Sequence, residues 1–247
     1  MKTIIAVALH RDAPVPNEPP YLPVQAGAAL NPPLGHARDD SGESISDRNP
    51  LYCELTAHYW LWKNADADVY GLCHYRRYFS RHPRRGVLSQ AEIDALLATA
   101  DVIVPRPRIY LIETNWSHYA HAHRESDLVQ LRTVIGDICP EYLPAFDRVM
   151  KRRWGRRFNM FIMRRGWFES YSAWLFGVLF ELEARLGEEI PPRTMGFIAE
   201  RLMDVWLERI RPRVRQLPVL HTEGQGWPKR ITAFLMRKLT GGKMGRK

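Results

Sequence analysis

Thr3-Ile-Ile-Ala-Val-Ala-Leu9, followed at once by His10-Arg11-Asp12, opens the chain. An unbroken apolar run of this length predicts a strand buried on both faces, as in a parallel sheet. Two further runs read the same way, Val69 to Cys73 (VYGLC) and Asp101 to Pro105 (DVIVP). Between them lie helical patterns. Asn49-Pro50 predicts a helix start, with Asn as N-cap and Pro at the first helical position. That helix continues through CELTAHYWLWKN to about Asn64, with Leu51, Leu55, Tyr59 and Trp62 at helical spacing. Ser89-Gln90-Ala91-Glu92 is a capping box that opens a second helix. Residues 106 to 125 read as irregular and 126 to 152 as mostly helical. Asn159 to Arg164 reads as a strand, Gly166 to Leu186 and Thr194 to Ile210 as helices, and Leu217 to Leu220 as a last short strand. The Pro-rich stretch from Pro14 to Pro33 reads as an ordered loop anchored by Tyr21, Leu22, Val24 and Leu30. Strands alternating with helices predict an α/β fold. One domain is expected over 1–227, with an appended basic tail over 228–247.

Composition narrows the classes. The chain has 247 residues, with 36 Lys/Arg against 27 Asp/Glu and a net charge of +9. From Trp206 to Lys247 there are eleven Lys/Arg and two Glu, so this end carries the whole excess. The body is balanced, which argues against a generally basic nucleic-acid-binding protein. Cys53, Cys73 and Cys139 form no C-x-x-C pair and suggest reduced thiols in a cytosolic setting. Met1 to Leu9 is too short for a signal-peptide core, and Tyr171 to Phe180 is too short to span a membrane. The expected location is cytoplasmic. Ile231, Phe234, Leu235, Met236 and Leu239 alternate with Lys and Arg in the tail, a composition suited to an anionic membrane surface.

In open α/β sheets, ligands bind at the carboxyl ends of the strands. After the first run comes His10-Arg11-Asp12, after the second His74-Tyr75-Arg76-Arg77, and after the third Pro105-Arg106-Pro107-Arg108. Cationic side chains at three strand ends suit a polyphosphate, because guanidinium groups bind phosphate oxygens in pairs. Asp66-Ala67-Asp68 spells the D-x-D metal signature, but it precedes its strand and so lies at the wrong end. No metal cofactor is therefore assigned: cations at the strand end can stabilise a departing diphosphate as a metal would. Trp116, His118 and Tyr119 suit a sugar, whose ring stacks on aromatic faces. His118, His121 and His123 also allow a metal-dependent hydrolase as a rival reading. Arg152 to Arg157 allows a second rival, nucleic-acid binding, against a solvated helix end. Glu200, in the apolar helix MGFIAERLMDVWL, is either a paired structural charge or a general base.

Several long blocks resemble one family. They are VALH at Val7 to His10, YLPVQAGAAL at Tyr21 to Leu30, DDSGESISDRNPLYCELTAHYWLWKN at Asp39 to Asn64, GLCHYRRYF at Gly71 to Phe79, NMFIMRRGWFESYSAWLF at Asn159 to Phe176, and GFIAERL at Gly196 to Leu202. Together they resemble the bacterial capsular and exopolysaccharide biosynthesis family, long known as a domain of unknown function and regarded as glycosyltransferases. The resemblance implies a GT-A-like, Rossmann-type mixed sheet flanked by helices. It also implies transfer of a galactofuranosyl or other hexosyl unit from a nucleotide sugar to a growing capsular, exopolysaccharide or O-antigen glycan, free or lipid-linked. The strand-end reading places the donor near His10, Asp39 and Asp40, with His74, Arg76 and Arg77 on its diphosphate. Glu200 is expected to be the base, with Glu113 in reserve. Trp116, His118, Tyr119 and Asn159 are expected on the acceptor side, and the tail beside an anionic membrane.

Overall fold

The computed structural model describes residues 1–16, 18–82 and 86–222. Its strands are β1 (Thr3–Leu9), β2 (Tyr21–Gln25), β3 (Ala37–Arg38), β4 (Val69–His74), β5 (Arg77–Phe79), β6 (Val102–Pro105), β7 (Arg108–Ile109), β8 (Trp154–Gly155), β9 (Phe161–Arg164), β10 (Val214–Leu217) and β11 (Val219–His221). Its helices are α1 (Asn49–Tyr52), α2 (Leu55–Asn64), α3 (Gln90–Leu97), α4 (Asn115–Ala120), α5 (Glu125–Ile138), α6 (Leu143–Met150), α7 (Arg165–Leu186) and α8 (Thr194–Ile210).

The main sheet runs β10-β6-β9-β4-β1-β2-β3. β1 pairs in parallel with β2 and β4, while β9 is antiparallel to both β4 and β6. This is the mixed α/β sheet that the sequence predicts. Alternation along β1 shows why its sequence is apolar throughout. Ile5, Val7 and Leu9 enter a core with Ile93, Leu96 and Leu97 of α3. Ala6 and Ala8 enter the larger core beneath α2, α7 and α8. With both faces covered, neither parity tolerates a polar side chain.

Three local expectations change. Tyr21 to Gln25 is a strand, not a loop, paired from Ile5↔Tyr21 to Leu9↔Gln25. Pro23 is tolerated because β3 reaches only Val24 and Gln25, so the far side of Pro23 needs no ladder donor. The helix expected over 49–64 is two helices, broken at Cys53, which has φ 53°. Asn49 is the first residue of α1 rather than its cap, and its Nδ2 donates to the Cys53 carbonyl at 2.8 Å. The break is thus stitched by a side chain. Finally, the last strand, expected over Leu217 to Leu220, is two strands, β10 and β11: β10 lies beside β6, and Arg213 pairs with Asp101 at 2.8 Å. The tail expected over 228–247 lies outside the described residues. The capping box at Ser89 and Glu92 is formed in both directions.

Cys53, Cys73 and Cys139 are unlinked thiols, and burial raises Cys73 to about 12. Among the described residues no helix is long and apolar enough to cross a membrane.

Candidate active site

A cleft of about 690 Å³ opens where β1 and β4 end. β1 delivers Leu9 and His10 to it, β4 ends in His74, and the turn into β5 adds Tyr75, Arg76 and Arg77. The break between α1 and α2 turns Cys53 and Glu54 inward. α8 lies across the opening and contributes Phe197 with Glu200 and Arg201, which follow it by three and four residues and so flank the same face. The turn before β9 adds Arg157 and Phe158.

Two carboxylates and a histidine hold that turn. Phe158 and Asn159 have φ of 81° and 47°, a region that side chains other than glycine rarely adopt. The Phe158 N–H donates to Glu200 Oε1 at 2.9 Å, and His74 Nε2 donates to the Phe158 carbonyl at 2.6 Å. Asn159 Nδ2 donates to Glu54 Oε1 at 2.8 Å and to the Gly196 carbonyl at 3.0 Å. Glu54 Oε1 also lies 3.7 Å from His74 Nε2. Cys53, Phe158 and Arg193, three cleft residues, all have positive φ. Backbone strain gathered at one cleft is a mark of a functional site.

Burial raises the pKa of Glu200, and the nearby Glu54 charge adds to the rise, while Arg201 opposes it. Glu200 Oε2 receives Arg201 Nη1 at 3.1 Å. A carboxylate with a raised pKa in a cleft has the character of a general base. Opposite, Arg77 has its pKa lowered by burial and by Arg76. Its guanidinium lies 4.3 Å from the Phe158 ring centre, and its buried Nε meets no partner among the described residues.

A second cationic wall stands on the α8 side. His118 is stacked on Tyr110 with ring centres 4.4 Å apart. Arg157 Nη2 reaches His118 Nε2 at 2.6 Å, and Arg201 Nη2 reaches Nδ1 at 3.3 Å. Burial and these two guanidinium groups depress the His118 pKa. His123 is stacked on Phe197, and the Arg193 guanidinium also covers that ring, 4.9 Å from its centre.

Of the residues expected to bind donor or acceptor or to act as base, the cleft gathers His10, His74, Arg76, Arg77, His118 and Glu200, and the rest of that set lies outside its lining. His123 and Arg157, which the rival readings used, also line it. Asp39, expected at the donor, is fully buried and accepts the N–H groups of Gly27 and Ala28, both at 2.9 Å, and the Ser46 hydroxyl. Asp40 pairs with Arg38 at 2.5 Å. Trp116 donates to Glu125, and the buried Tyr119 hydroxyl donates to Asp127 at 3.2 Å. Asn159 sits beneath the cleft as a brace. Glu113, the reserve base, is held by His121 at 2.6 Å. Arg106 and Arg108 do not reach the cleft, because β9 separates their strand from β4. Sequence reading overlooked Glu54, hidden in what reads as one continuous helix. It also left Arg157 in a surface patch and Arg193 in a connection.

The rival sites dissolve on geometry. His118, His121 and His123 turn to different partners, Arg157 with Arg201, Glu113, and Phe197. Among the described residues no three His, Cys, Asp or Glu side chains gather as metal ligands would. The D-x-D acids are engaged elsewhere. Asp66 pairs with Arg165 at 2.5 Å, and Asp68 accepts the Lys2 N–H at 2.8 Å, at the other end of the strand. Within the run Arg152 to Arg157, Arg152 and Arg156 are engaged by Glu208 and Asp204 as structural pairs.

A cationic, carboxylate-bearing cleft beyond the parallel strand ends lies where ligands bind in open α/β sheets. Residues 4–211 match the model of one family, described as Domain of unknown function (DUF4422), and the chain belongs to that family. The fold is GT-A-like: the chain is similar to the apo structure of the bifunctional glycosyltransferase WbbM, with a TM-score of 0.83 and 26% identity. The likeness covers 91% of this chain and 46% of that one, so the chain spans about half the length of that protein. No curated protein matches the chain.

Proposed function

We propose that the chain is a glycosyltransferase that moves a hexosyl unit, such as a galactofuranosyl unit, from a nucleotide sugar. The acceptor is a hydroxyl of a growing capsular, exopolysaccharide or O-antigen glycan. The observation that carries this reading is the juxtaposition, in one cleft, of His74, Arg76 and Arg77 with the part-buried carboxylate Glu200. Likeness to a glycosyltransferase supports it. The donor lies over the ends of β1 and β4. Arg76 and Arg77 bind the diphosphate oxygens and stabilise the charge that grows on the leaving group as the anomeric bond breaks. His74 holds the Phe158 turn and so fixes the wall facing the sugar. Glu200 accepts the proton of the attacking hydroxyl, which needs only hydrogen-bond reach. The basic and apolar sequence over 228–247 would keep the enzyme beside an anionic membrane that carries a lipid-linked acceptor.

A thermal-shift screen against nucleotide sugars tests the donor, because a ligand that binds only the folded state raises the melting temperature. Arg76→Ala should abolish transfer while leaving ligand-free melting close to wild type. Near-normal transfer by this variant would reject the assignment.

A further inference from the structure

The cleft holds more positive charge than its donor requires. Five arginines and two glutamates line it, an excess of three. A nucleotide-sugar diphosphate, at about one charge per phosphate, offsets only part of that excess. The surplus is also concentrated. Arg157 and Arg193 form no ion pair among the described residues, and Arg157 Nε is buried without a partner. His118 receives guanidinium donors on both ring nitrogens, yet a neutral imidazole offers only one acceptor. One of those two donors therefore faces a proton. Such an excess of donors is satisfied when an oxyanion arrives between them.

We infer that the wall formed by His118, Arg157, Arg193 and Arg201 is a phosphate subsite for the acceptor, separate from the donor diphosphate site at Arg76 and Arg77. The inference rests on the transferase reading of the cleft. Three guanidinium groups and an imidazole exceed what one carboxylate can accept and suit the three terminal oxygens of a phosphate monoester. Glu200 stands between the two walls, hydrogen-bonded to Phe158 on one side and paired with Arg201 on the other. An acceptor anchored by its phosphate at Arg157 would thus present a hydroxyl to the base. Tyr110 connects the wall to an exposed loop in which Ile109, Leu111 and Ile112 are 72%, 86% and 86% exposed. A lipid phosphate and a soluble sugar phosphate share the recognised group.

The test is a two-ligand titration of the full chain by calorimetry. UDP, GDP and ADP are titrated first. Glucose 1-phosphate is then titrated into protein saturated with the nucleotide that binds. In a parallel arm, vesicles containing phosphatidic acid replace it, and binding in one arm or the other tells the soluble source from the lipid source. Arg157→Gln should weaken the second ligand by about tenfold or more, the loss expected for a charged hydrogen bond, and leave nucleotide affinity within about twofold. Arg77→Gln should do the reverse. Arg193→Gln serves as the second variant, and unchanged ligand-free melting certifies both. No binding in either arm, or an Arg157→Gln variant that loses nucleotide instead, overturns the subsite. Should no nucleotide bind, the donor reading falls. Phosphate binding that depends on Arg157 and not on Arg77 would then still uphold the subsite, and its absence would overturn it.

Discussion

Glu200 braces a turn and is also the proposed base, and its surroundings explain how one carboxylate could serve in both ways. Oε1 receives the Phe158 N–H and so holds a strained turn, while Oε2 meets Arg201 at the cleft side. Burial first, and Glu54 in addition, raise its pKa above the ordinary carboxylate range. A base with a raised pKa loses its ionised form sooner as pH falls. The acid limb of kcat/KM should accordingly lie above the ordinary glutamate value of 4.5. Glu54→Gln removes a like charge, eases ionisation of Glu200 and should move that limb to lower pH. Glu200→Gln should reduce kcat by roughly 10²–10⁴-fold and abolish the limb. Initial rates at constant ionic strength across pH 4 to 8 check both; an unmoved limb in Glu54→Gln would show that another group titrates. At this scale the sequence located Glu200 and the HYRRYF strand end, since both stand out against apolar surroundings. Asp39 was misleading because acidity alone does not reveal that three donors already occupy its oxygens.

Among the elements, β4 is the keystone, flanked by β1 and β9 and bearing the cationic strand end. Gly71 lies in it where Ile5 and Ile162 close from either side. A Cβ there would meet Ile5 Cγ1 at 3.0 Å and Ile162 Cγ1 at 3.1 Å. Gly71→Ala should destabilise by about 1–3 kcal/mol through overpacking, read as a lower urea midpoint. Because β4 carries His74, transfer should fall as well. α3 offers a milder control. Ser89→Ala removes a cap and should cost about 1 kcal/mol without changing kcat, since α3 packs on the face away from the cleft. The long elements were legible because each carries its own periodicity. The helix break at Cys53 was not: Cys53 and Glu54 have no breaker chemistry, and the interruption depends on Asn49 reaching the Cys53 carbonyl.

For the molecule as a whole, the larger core surrounds a histidine that must stay neutral. His58 is fully buried among Phe161, Phe168, Tyr171 and Phe176, with Nε2 2.8 Å from Ser172 Oγ. Burial lowers its pKa from 6.5 to about 3. The unfolded chain therefore takes up a proton below pH 6.5 that the folded chain refuses. Stability should fall as pH drops from 6.5 towards 3, by up to about 1.4 kcal/mol per pH unit from this group. His58→Gln should flatten that dependence in urea titrations at pH 7.5, 6 and 5. An equal slope in the variant would assign the acid sensitivity to other groups. His58 lies in the block CELTAHYWLWKN, three residues after Leu55 and four before Trp62, and so shares their side of α2.

The sequence by itself determined the α/β class, the buried strands β1, β4 and β6, the long helices and one cationic strand end. Each is written in a local pattern of apolar spacing, capping or charge. Only the tertiary structure decided which charges meet. The antiparallel β9 places the arginines after β6 away from the cleft, while the turn before β9 and the face of α8 bring in Arg157 and Arg201 from distant segments. Strand order and helix rotation are set by the mutual burial of remote surfaces, and no short stretch of chain encodes them.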